Sequence, residues 1–352
     1  MRIIMLIDMD YFFVACEELR HPEIKDVPAI VGSDPKGGDG RGAVMTCNYK
    51  ARELGIRSGM PISTAYRLKP DAVFLALDYA YYEELSKRIM EVVKGFADRF
   101  EQVSIDEAFI DVSRRLERFG DAQDYAFRIK RSVLEKVGLK CSIGVGPNKL
   151  IAKMACEKAK PDGIKVVEEK DVMDFIGKLK VDKLYGVGTK TSEKLEAMGY
   201  RTVEELSKAN MMDMVDKFGA FGTELVRYAN GIDESEVTEN YEVKSISREF
   251  TFEKDTDNDK QIIDEINKLG DAVITDVNKG QIYFKTITLK LRYKDFTEHL
   301  HSRSVKVTND AKTLHDATRQ LYMENVDKSR KVRKIGVRVS NLVSYKGQKR
   351  IA

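Results

Sequence analysis

Three acidic residues stand inside otherwise apolar, strand-like segments of this 352-residue chain. Asp8 follows the apolar run 3–7, and Asp106 and Glu107 lie within the run 103–110. Each acid alone would be interpreted as the solvent-facing end of a strand. Burying a set of unpaired carboxylates is costly, however, so a bound cation is their natural partner. We therefore expect the three acids to converge from separate strands on a metal site.

The chemistry that such a site supports is phosphoryl transfer. Two divalent ions held about 3.5–4 Å apart by carboxylates activate an attacking oxygen and stabilise the leaving oxygen. A triphosphate substrate also needs a cradle of hydroxyl and cationic groups. Thr46, Tyr49 and Arg52 are spaced three apart, which on a helix predicts two hydroxyls and a guanidinium on neighbouring faces. Taken singly, each of them is equally typical of a surface residue, and Tyr49 of a core residue.

The elements that must position these residues alternate between strand and helix up to about residue 167. We predict strands at 2–7, 100–112, 140–145 and 164–167, and helices at 48–54, 82–96, 122–137 and 148–158. Thr46 is placed near the N-cap of the first of these helices, and Pro147 at the first position of the last. This alternation predicts an α/β unit on a mixed sheet.

The remainder of the chain predicts two further parts. Residues 168–232 carry mainly helical patterns, and the acidic segment 233–243 is interpreted as a tether. Beyond it, strands are predicted at 244–252, 282–293, 302–307 and 334–341, with helices between the first pair and the last pair. Such an order predicts a sheet with two helices on one face.

Composition and charge narrow the class of protein. With 42% apolar and 33% charged residues, the chain is too apolar for disorder and too charged for a membrane protein. The run 3–7 is too short to span a bilayer, so we expect a cytoplasmic protein. Residues 244–352 hold 23 Lys and Arg against 15 Asp and Glu, a net of +8 in a chain whose total is +3. This basic excess indicates either a surface that meets a polyanion or a solvated face.

Four ordered motifs resemble those of the Y-family translesion DNA polymerases, of the DNA polymerase IV type. In chain order they are Asp8-Met9-Asp10-Tyr11-Phe12-Phe13, Tyr49-Lys50-Ala51-Arg52, Ser104-Ile105-Asp106-Glu107-Ala108 and Ala159-Lys160-Pro161-Asp162-Gly163. The resemblance runs from residue 1 to about 345. It implies an α/β (α+β) right-hand polymerase with a ferredoxin-like palm (1–11 and 79–167), small fingers (12–78) and a helical thumb (168–232). A linker (233–243) and a four-stranded, DNA-binding little finger (244–352) complete the implied architecture.

The resemblance also implies roles for individual residues. Asp8, Asp106, Glu107 and the backbone carbonyl of Met9 would hold two Mg²⁺ ions, with Mn²⁺ as an expected substitute. Met9 stands where the family commonly has an aromatic residue, and Asp10 is given a structural role. Thr46, Tyr49, Arg52 and Lys160 would bind the incoming nucleotide. Phe13, taken to continue the first strand opposite Phe12, would be the steric gate that excludes ribonucleotides; a core aromatic is the alternative.

DNA contacts are predicted in two places. The segment Leu184-Tyr185-Gly186-Val187-Gly188 resembles a helix-hairpin-helix turn, in which Gly186 and Gly188 expose backbone N–H groups to a phosphate. Tyr185 replaces the proline usual in that motif. Lys331, Arg333 and Lys334 lie in the most basic stretch of the chain and are predicted to bind DNA.

These expectations combine into one function. We predict a template-directed DNA polymerase that adds deoxynucleoside triphosphates to a primer, is error-prone and bypasses damaged template bases. The alternatives are another palm-type nucleotidyl transferase or cyclase, and an inactive DNA-binding relative. We expect a monomer with no membrane partner. A sliding clamp is a possible partner, but the segment 345–352 shows no clamp-binding pair of aromatics.

Overall fold

The computed structural model of the chain describes residues 2–116, 118–239 and 243–344. It divides into two compact units, residues 1–240 and 241–352. The end of the predicted tether (240–242) and the segment 345–352 lie outside the described residues. No helix in the described ranges is both long enough and apolar enough to cross a bilayer.

The first unit contains a central sheet, a smaller sheet and a group of short helices. Its elements in chain order are β1 (Ile4–Asp8), α1 (Phe12–Arg20), β2 (Ala29–Gly32), β3 (Val44–Cys47), α2 (Tyr49–Glu53), α3 (Ile62–Leu68), β4 (Val73–Leu75), α4 (Tyr79–Lys94), β5 (Arg99–Gln102), β6 (Glu107–Asp111), α5 (Ala122–Val137), β7 (Ser142–Gly146), α6 (Lys149–Ala159), β8 (Ile164–Val166), α7 (Val172–Ile176), α8 (Thr189–Ala197), α9 (Val203–Ser207), α10 (Met211–Phe218) and α11 (Ala220–Ala229).

The central sheet has the strand order β5-β6-β1-β7-β8, in which β1 runs antiparallel to both neighbours. Every residue of β1 is buried because the sheet is covered on both faces. Met5 and Ile7 join the core formed with α4 and α5, whereas Ile4 and Leu6 pack with residues of α6. Since side chains alternate along a strand, Asp8 shares the α6 face with Ile4 and Leu6.

One predicted strand proves to be a hairpin. The prediction of a single strand over 100–112 was wrong, because β5 and β6 pair antiparallel around a turn at 103–106. The N–H groups of Val103 and Ser104 both donate to the carbonyl of Glu107, at 3.0 and 3.2 Å. The Ser104 hydroxyl also donates to the Asp106 carboxylate, a local bond that favours a turn over a strand.

Helix starts also differ from the predictions. Phe12 and Phe13 begin α1 and do not continue β1. Thr46 lies in β3, two residues before Asn48, and Asn48 itself is the N-cap of α2. The Asn48 side chain accepts from the Ala51 N–H, and an asparagine likewise caps α6 one residue after Pro147. In both helices the asparagine side-chain oxygen accepts from a free N–H of the first turn, which fixes where the helix begins.

Neither the small sheet nor the helices α1 and α3 were predicted from the sequence. The small sheet has the order β3-β2-β4 and shares a core with α2 and α3. Helices α7 to α11 surround an apolar core that includes Val181, Leu195, Leu206 and Leu225, and α6 contributes Leu150 and Met154 to it. The prediction of a mainly helical segment over 168–232 is therefore confirmed.

The second unit is a sheet covered on one face by two helices. Its elements are β9 (Ser245–Thr256), α12 (Asp259–Lys279), β10 (Ile282–Tyr293), β11 (Glu298–Thr308), α13 (Ala311–Asn325), β12 (Val332–Ser340) and β13 (Val343–Ser344). The strand order is β11-β10-β12-β9, with β13 added to β10. The four predicted strands and both helices are confirmed, although β9 and β11 are longer than predicted. Their extra residues carry few aliphatic side chains but continue the hydrogen-bonded ladder.

Candidate active site

The two acidic segments meet at one end of the central sheet. Asp8, the last residue of β1, lies directly opposite Glu107, the first residue of β6. Asp106 precedes Glu107 in the turn, and its carbonyl accepts from the Met9 N–H at 3.0 Å. Backbone pairing therefore brings together residues that are about a hundred positions apart in the sequence.

Two lysines of the α6 region contact these carboxylates. Lys160 Nζ lies 2.7 Å from Asp8 Oδ2 and 2.7 Å from Glu157 Oε1. Lys153 Nζ lies 2.6 Å from Glu107 Oε2. The sequence interpretation missed Lys153, although Lys149, Lys153 and Glu157 have the spacing of one helix face.

The electrostatics of this end of the sheet favour cations. Burial raises the pKa of Asp8 to about 6. Lys160 acts against that rise, whereas the nearby charges of Asp106 and Glu107 add to it. Burial opposes the charged form of Lys153, but its hydrogen bond to Glu107 leaves the pKa of that lysine raised. The carboxylates thus bind positive charge strongly and still outnumber the lysines beside them.

The predicted metal ligands are of the chemical type that divalent ions prefer. In the described part of the chain, no three His, Cys, Asp or Glu side chains are already arranged as a metal shell. Two of the three predicted ligands are instead turned toward lysine ammonium groups, at Asp8 Oδ2 and Glu107 Oε2. Carboxylate and carbonyl oxygens form the all-oxygen shell that Mg²⁺ and Mn²⁺ prefer. The donor set therefore suits the predicted ions.

Asp10 fixes the strand end from the side. Its Oδ1 accepts from the Ser142 hydroxyl at 2.8 Å, and its Oδ2 from the Asp162 N–H at 3.1 Å. Its own N–H donates to Asp8 Oδ1 at 2.9 Å. These bonds join β1, β7 and the loop after α6, and they agree with the structural role predicted for Asp10.

Tyr49 carries an available hydrogen-bonding group near these acids. Its hydroxyl oxygen is buried and has no hydrogen-bond partner among the described residues. Burial and the charge of Asp10 raise the pKa of Tyr49 to about 12, so the hydroxyl stays protonated and can donate. The Arg52 guanidinium lies 4.9 Å from the Tyr49 ring centroid. Thr46 is buried in the neighbouring strand β3.

Phe13 belongs to an aromatic group that joins α1 to α4. Its ring stacks on Tyr82 with centroids 4.8 Å apart and planes 20° apart, and it meets Tyr79 edge to face at 5.9 Å. Phe12 is fully packed in the core, whereas Phe13 is only partly buried. The two rings are not separated as predicted, because their centroids lie 5.8 Å apart and both rings pack against the same core.

The predicted DNA-binding residues lie in two different units. Gly186 has φ 84°, which a side chain would disfavour, and Gly188 is the N-cap of α8. Lys334 Nζ contacts Glu249, and Lys331 and Arg333 lie within 3.9 and 3.8 Å of Asp257 and Asp255. The three basic residues are therefore ion-paired within their own unit.

Comparison with known families and proteins gives matches along nearly the whole chain. The model of the impB/mucB/samB family matches residues 7–157, and that of its C-terminal domain matches residues 243–351. The model of the DNA polymerase-iota thumb domain matches residues 182–233. DNA polymerase IV 2 of Methanosarcina mazei is 44% identical over 342 residues, covering 97% of this chain and 92% of that protein. DNA polymerase IV of Lactococcus lactis is 37% identical over 341 residues, covering 96% and 94%.

Solved structures agree with these matches. The Y-family DNA polymerase chimera Dbh-Dpo4(243-245)-Dbh superimposes with a TM-score of 0.88 and 32% identity. The insertion ternary complex of Dbh DNA polymerase superimposes with a TM-score of 0.69 and 31% identity. Each comparison covers 97% of this chain and 99% of the other.

Proposed function

On the premise that this chain belongs to the Y family of DNA polymerases, and to the DNA polymerase IV type within it, we propose that Asp8, Asp106 and Glu107 form its active site. The chain is a DNA-directed DNA polymerase of the translesion kind, and divalent metal use is general in this family. The relatives are named polymerases over almost their whole length, which argues against the cyclase and the inactive relative. The observation that carries the site assignment is the register that places Asp8 opposite Glu107.

The metal we propose is magnesium, held by Asp8, Asp106, Glu107 and the Met9 carbonyl. When bound, two such ions supply activation of the primer hydroxyl and stabilisation of the leaving pyrophosphate. Met9 fits this role because its side chain is buried in the core, which leaves only its backbone as a polar group at the site. Asp10 keeps the Asp8 carboxylate oriented through its N–H donation.

The nucleotide-binding residues act on the triphosphate. Tyr49 donates its free hydroxyl to a phosphate oxygen, and Arg52 adds a charge-assisted contact. Lys160, now paired with Asp8, exchanges that carboxylate for a phosphate oxygen as the nucleotide enters, and Thr46 lines the same cradle. Phe13, only partly buried, packs against the sugar and excludes a 2′-hydroxyl.

The domains that we propose have the boundaries implied by the sequence resemblance. We assign the palm to 1–11 and 79–167, the fingers to 12–78 and the thumb to 168–232. DNA phosphates bind to the turn at Gly186 and Gly188. They also bind to three basic residues of the second unit, Lys331, Arg333 and Lys334. The second unit serves as the little finger, tethered by 233–243. The protein acts on primer-template DNA as a cytoplasmic monomer.

A primer-extension assay tests this assignment. Wild-type protein should extend a labelled primer on a template when Mg²⁺ is present and should stop when EDTA is added. Mn²⁺ in place of Mg²⁺ should restore extension. Conversion of a nucleoside triphosphate to a cyclic product, or DNA binding without extension, would contradict the proposed site.

A further inference from the structure

The second unit presents one sheet face that its own helices leave uncovered. Both α12 and α13 pack on the side of Ile287, Leu289 and Val337, so no described element of this unit lies on the other side. The alternate residues of β10 and β12 point there and include Lys290, Arg292, Lys334 and Arg338. We call this surface the open sheet face.

Two carboxylates hold most of these cations. The two Glu249 oxygens are divided between two lysines, with Oε1 2.9 Å from Lys290 Nζ and Oε2 in contact with Lys334 Nζ. Glu298 accepts from Arg292 Nε at 2.8 Å and lies 3.1 Å from Lys290 Nζ. Three basic side chains and two acidic ones therefore form one connected network on the open sheet face.

Gly336 allows this network to cross a strand. Lys290 on β10 and Glu249 on β9 both pair in register with Gly336 on β12, which lies between them. A Cβ at this glycine would lie 3.0 Å from Glu249 Cγ and 3.3 Å from Lys290 Cβ. The two side chains meet over the middle strand because this position carries no side chain.

The network remains open to an outside anion. The side chains of Lys290, Lys334 and Glu249 are 21%, 26% and 35% exposed. Burial alone would raise the pKa of Glu249, but hydrogen bonds from the two lysines outweigh it and lower that pKa. The carboxylate is thus charged at neutral pH, and it occupies N–H donors that a phosphate oxygen would use.

We propose that Glu249 is an internal competitor of DNA phosphates for Lys290 and Lys334. By holding both ammonium groups, it weakens the contact of the open sheet face with the DNA backbone and shortens each binding event on the template. This inference rests on the proposed function in one respect, since it takes the second unit as a DNA-binding surface. Arg338, which has no ion-pair partner within 243–344, supplies a contact that needs no exchange.

The test is the salt dependence of DNA affinity in the full chain. Binding of a labelled primer-template without metal would be measured by fluorescence anisotropy at several KCl concentrations. Glu249→Gln keeps the shape of the side chain but removes its charge. We expect this variant to bind DNA about fivefold more tightly and to steepen the slope of log K against log salt by about one. It should also add more nucleotides per binding event in the presence of unlabelled trap DNA.

The matched control is Glu265→Gln. Glu265 lies on α12 beside Lys268, so this change removes the same charge from the same unit, but on its helix side. Its effect on DNA affinity should stay within about twofold, because losing a surface ion pair changes the free energy only slightly. Equal gains for both variants would overturn the proposal, because net charge alone would explain them. A loss of affinity in Glu249→Gln would overturn it as well.

A triple variant identifies the site of competition. In a Lys290→Gln/Lys334→Gln background, adding Glu249→Gln should give little further gain, because the contested ammonium groups are gone. An undiminished gain would overturn the proposed competition. If Lys334→Gln and Lys290→Gln have no effect on DNA binding, the DNA-binding role of the second unit itself fails. If they weaken binding but Glu249→Gln behaves like its control, only the competition fails.

Discussion

The acidic end of the central sheet and the open sheet face of the second unit are both networks of ion pairs. They differ in the sign of the charge that is in excess. At the first, Asp8, Asp106, Glu107 and Glu157 stand beside two lysines. At the second, three cations stand beside two carboxylates. In each case ion pairs within the protein leave an excess of one sign of charge, which can attract a ligand of the opposite sign. The sign of the excess predicts the ligand, which is a cation at the acidic end of the central sheet and a polyanion at the second unit.

Burial separates the two regions further. The Asp8 side chain is 7% exposed and its pKa is raised, whereas that of Glu249 is 35% exposed and its pKa is lowered. A buried excess of charge can be neutralised only by something small that enters the site, such as a metal ion. The basic excess on the open sheet face is spread over partly exposed side chains, with Lys290 21% and Lys334 26% exposed, so an extended partner such as a DNA strand can neutralise it. The first arrangement suits chemistry at one point, and the second suits binding without regard to sequence.

The largest expected effect comes from reducing the acidic excess. Asp106→Ala should lower the rate of nucleotide addition by about 10³-fold or more, which corresponds to about 4 kcal/mol of transition-state stabilisation. DNA affinity should change little, since the acid serves the metal ions. Single-turnover extension and anisotropy would measure the two quantities. Asp124→Ala, on the exposed side of α5, is the control. Activity within tenfold of wild type would remove Asp106 from the site.

The next effect tests selection by shape at Phe13, in contrast to the open sheet face, which would select by charge. Phe13→Ala should raise ribonucleotide use by about 10²-fold, if excluding the hydroxyl costs about 3 kcal/mol in the transition state. Deoxynucleotide addition should change much less. The kcat/KM values for one ribonucleotide and its deoxy counterpart would decide this. Phe12→Ala, which opens a cavity in the core, should instead lower both activities and the melting temperature. An unchanged discrimination ratio in Phe13→Ala would assign that ring to packing alone.

A smaller effect is expected from removing the guanidinium of Arg52, which lies near the acidic residues. Arg52→Ala should raise the KM for the incoming nucleotide by roughly 10- to 100-fold, because a charge-assisted contact contributes roughly 1.5–3 kcal/mol. Steady-state kinetics at saturating primer-template would measure it. Arg67→Ala on α3 is the comparison, because among the described residues its guanidinium bonds to Thr64 on its own helix and to no other. Equal kinetic constants for wild type and Arg52→Ala would contradict the triphosphate cradle.

The smallest effect sharpens the comparison on the basic side. Glu298→Gln should tighten DNA binding by only about twofold, less than Glu249→Gln, because Glu298 contacts one of the two contested lysines and leaves Lys334 engaged. The same anisotropy titration, run in parallel on both variants, would rank them. The reverse ranking would show that Glu298, which contacts Lys290 and Arg292 on β10, is the stronger competitor.

The sequence predicted the acids better than their partners. Asp8 was predictable because a short unbroken apolar run is typical of a buried strand, and Asp8 ends that run. Asp106 was misplaced within a strand because the hairpin depends on a local Ser104 bond that competes with the ladder. Lys153 was missed because its pairing depends on how α6 crosses β6, which no local pattern encodes. The interpretation missed Glu249 for a similar reason, since its pairing requires the register of three strands around Gly336.

The burial of β1 has a consequence for how the enzyme loses its function on heating. All five of its residues are buried, and the strand is hydrogen-bonded on both edges. Amide protons in such a strand exchange with solvent only when the whole unit opens. Asp8 is carried by this strand, so its neighbours should be among the slowest amides to incorporate deuterium. If the second unit binds DNA as proposed, its partial unfolding would release DNA while the end of β1 stays formed, and cooling should restore activity without refolding of the first unit.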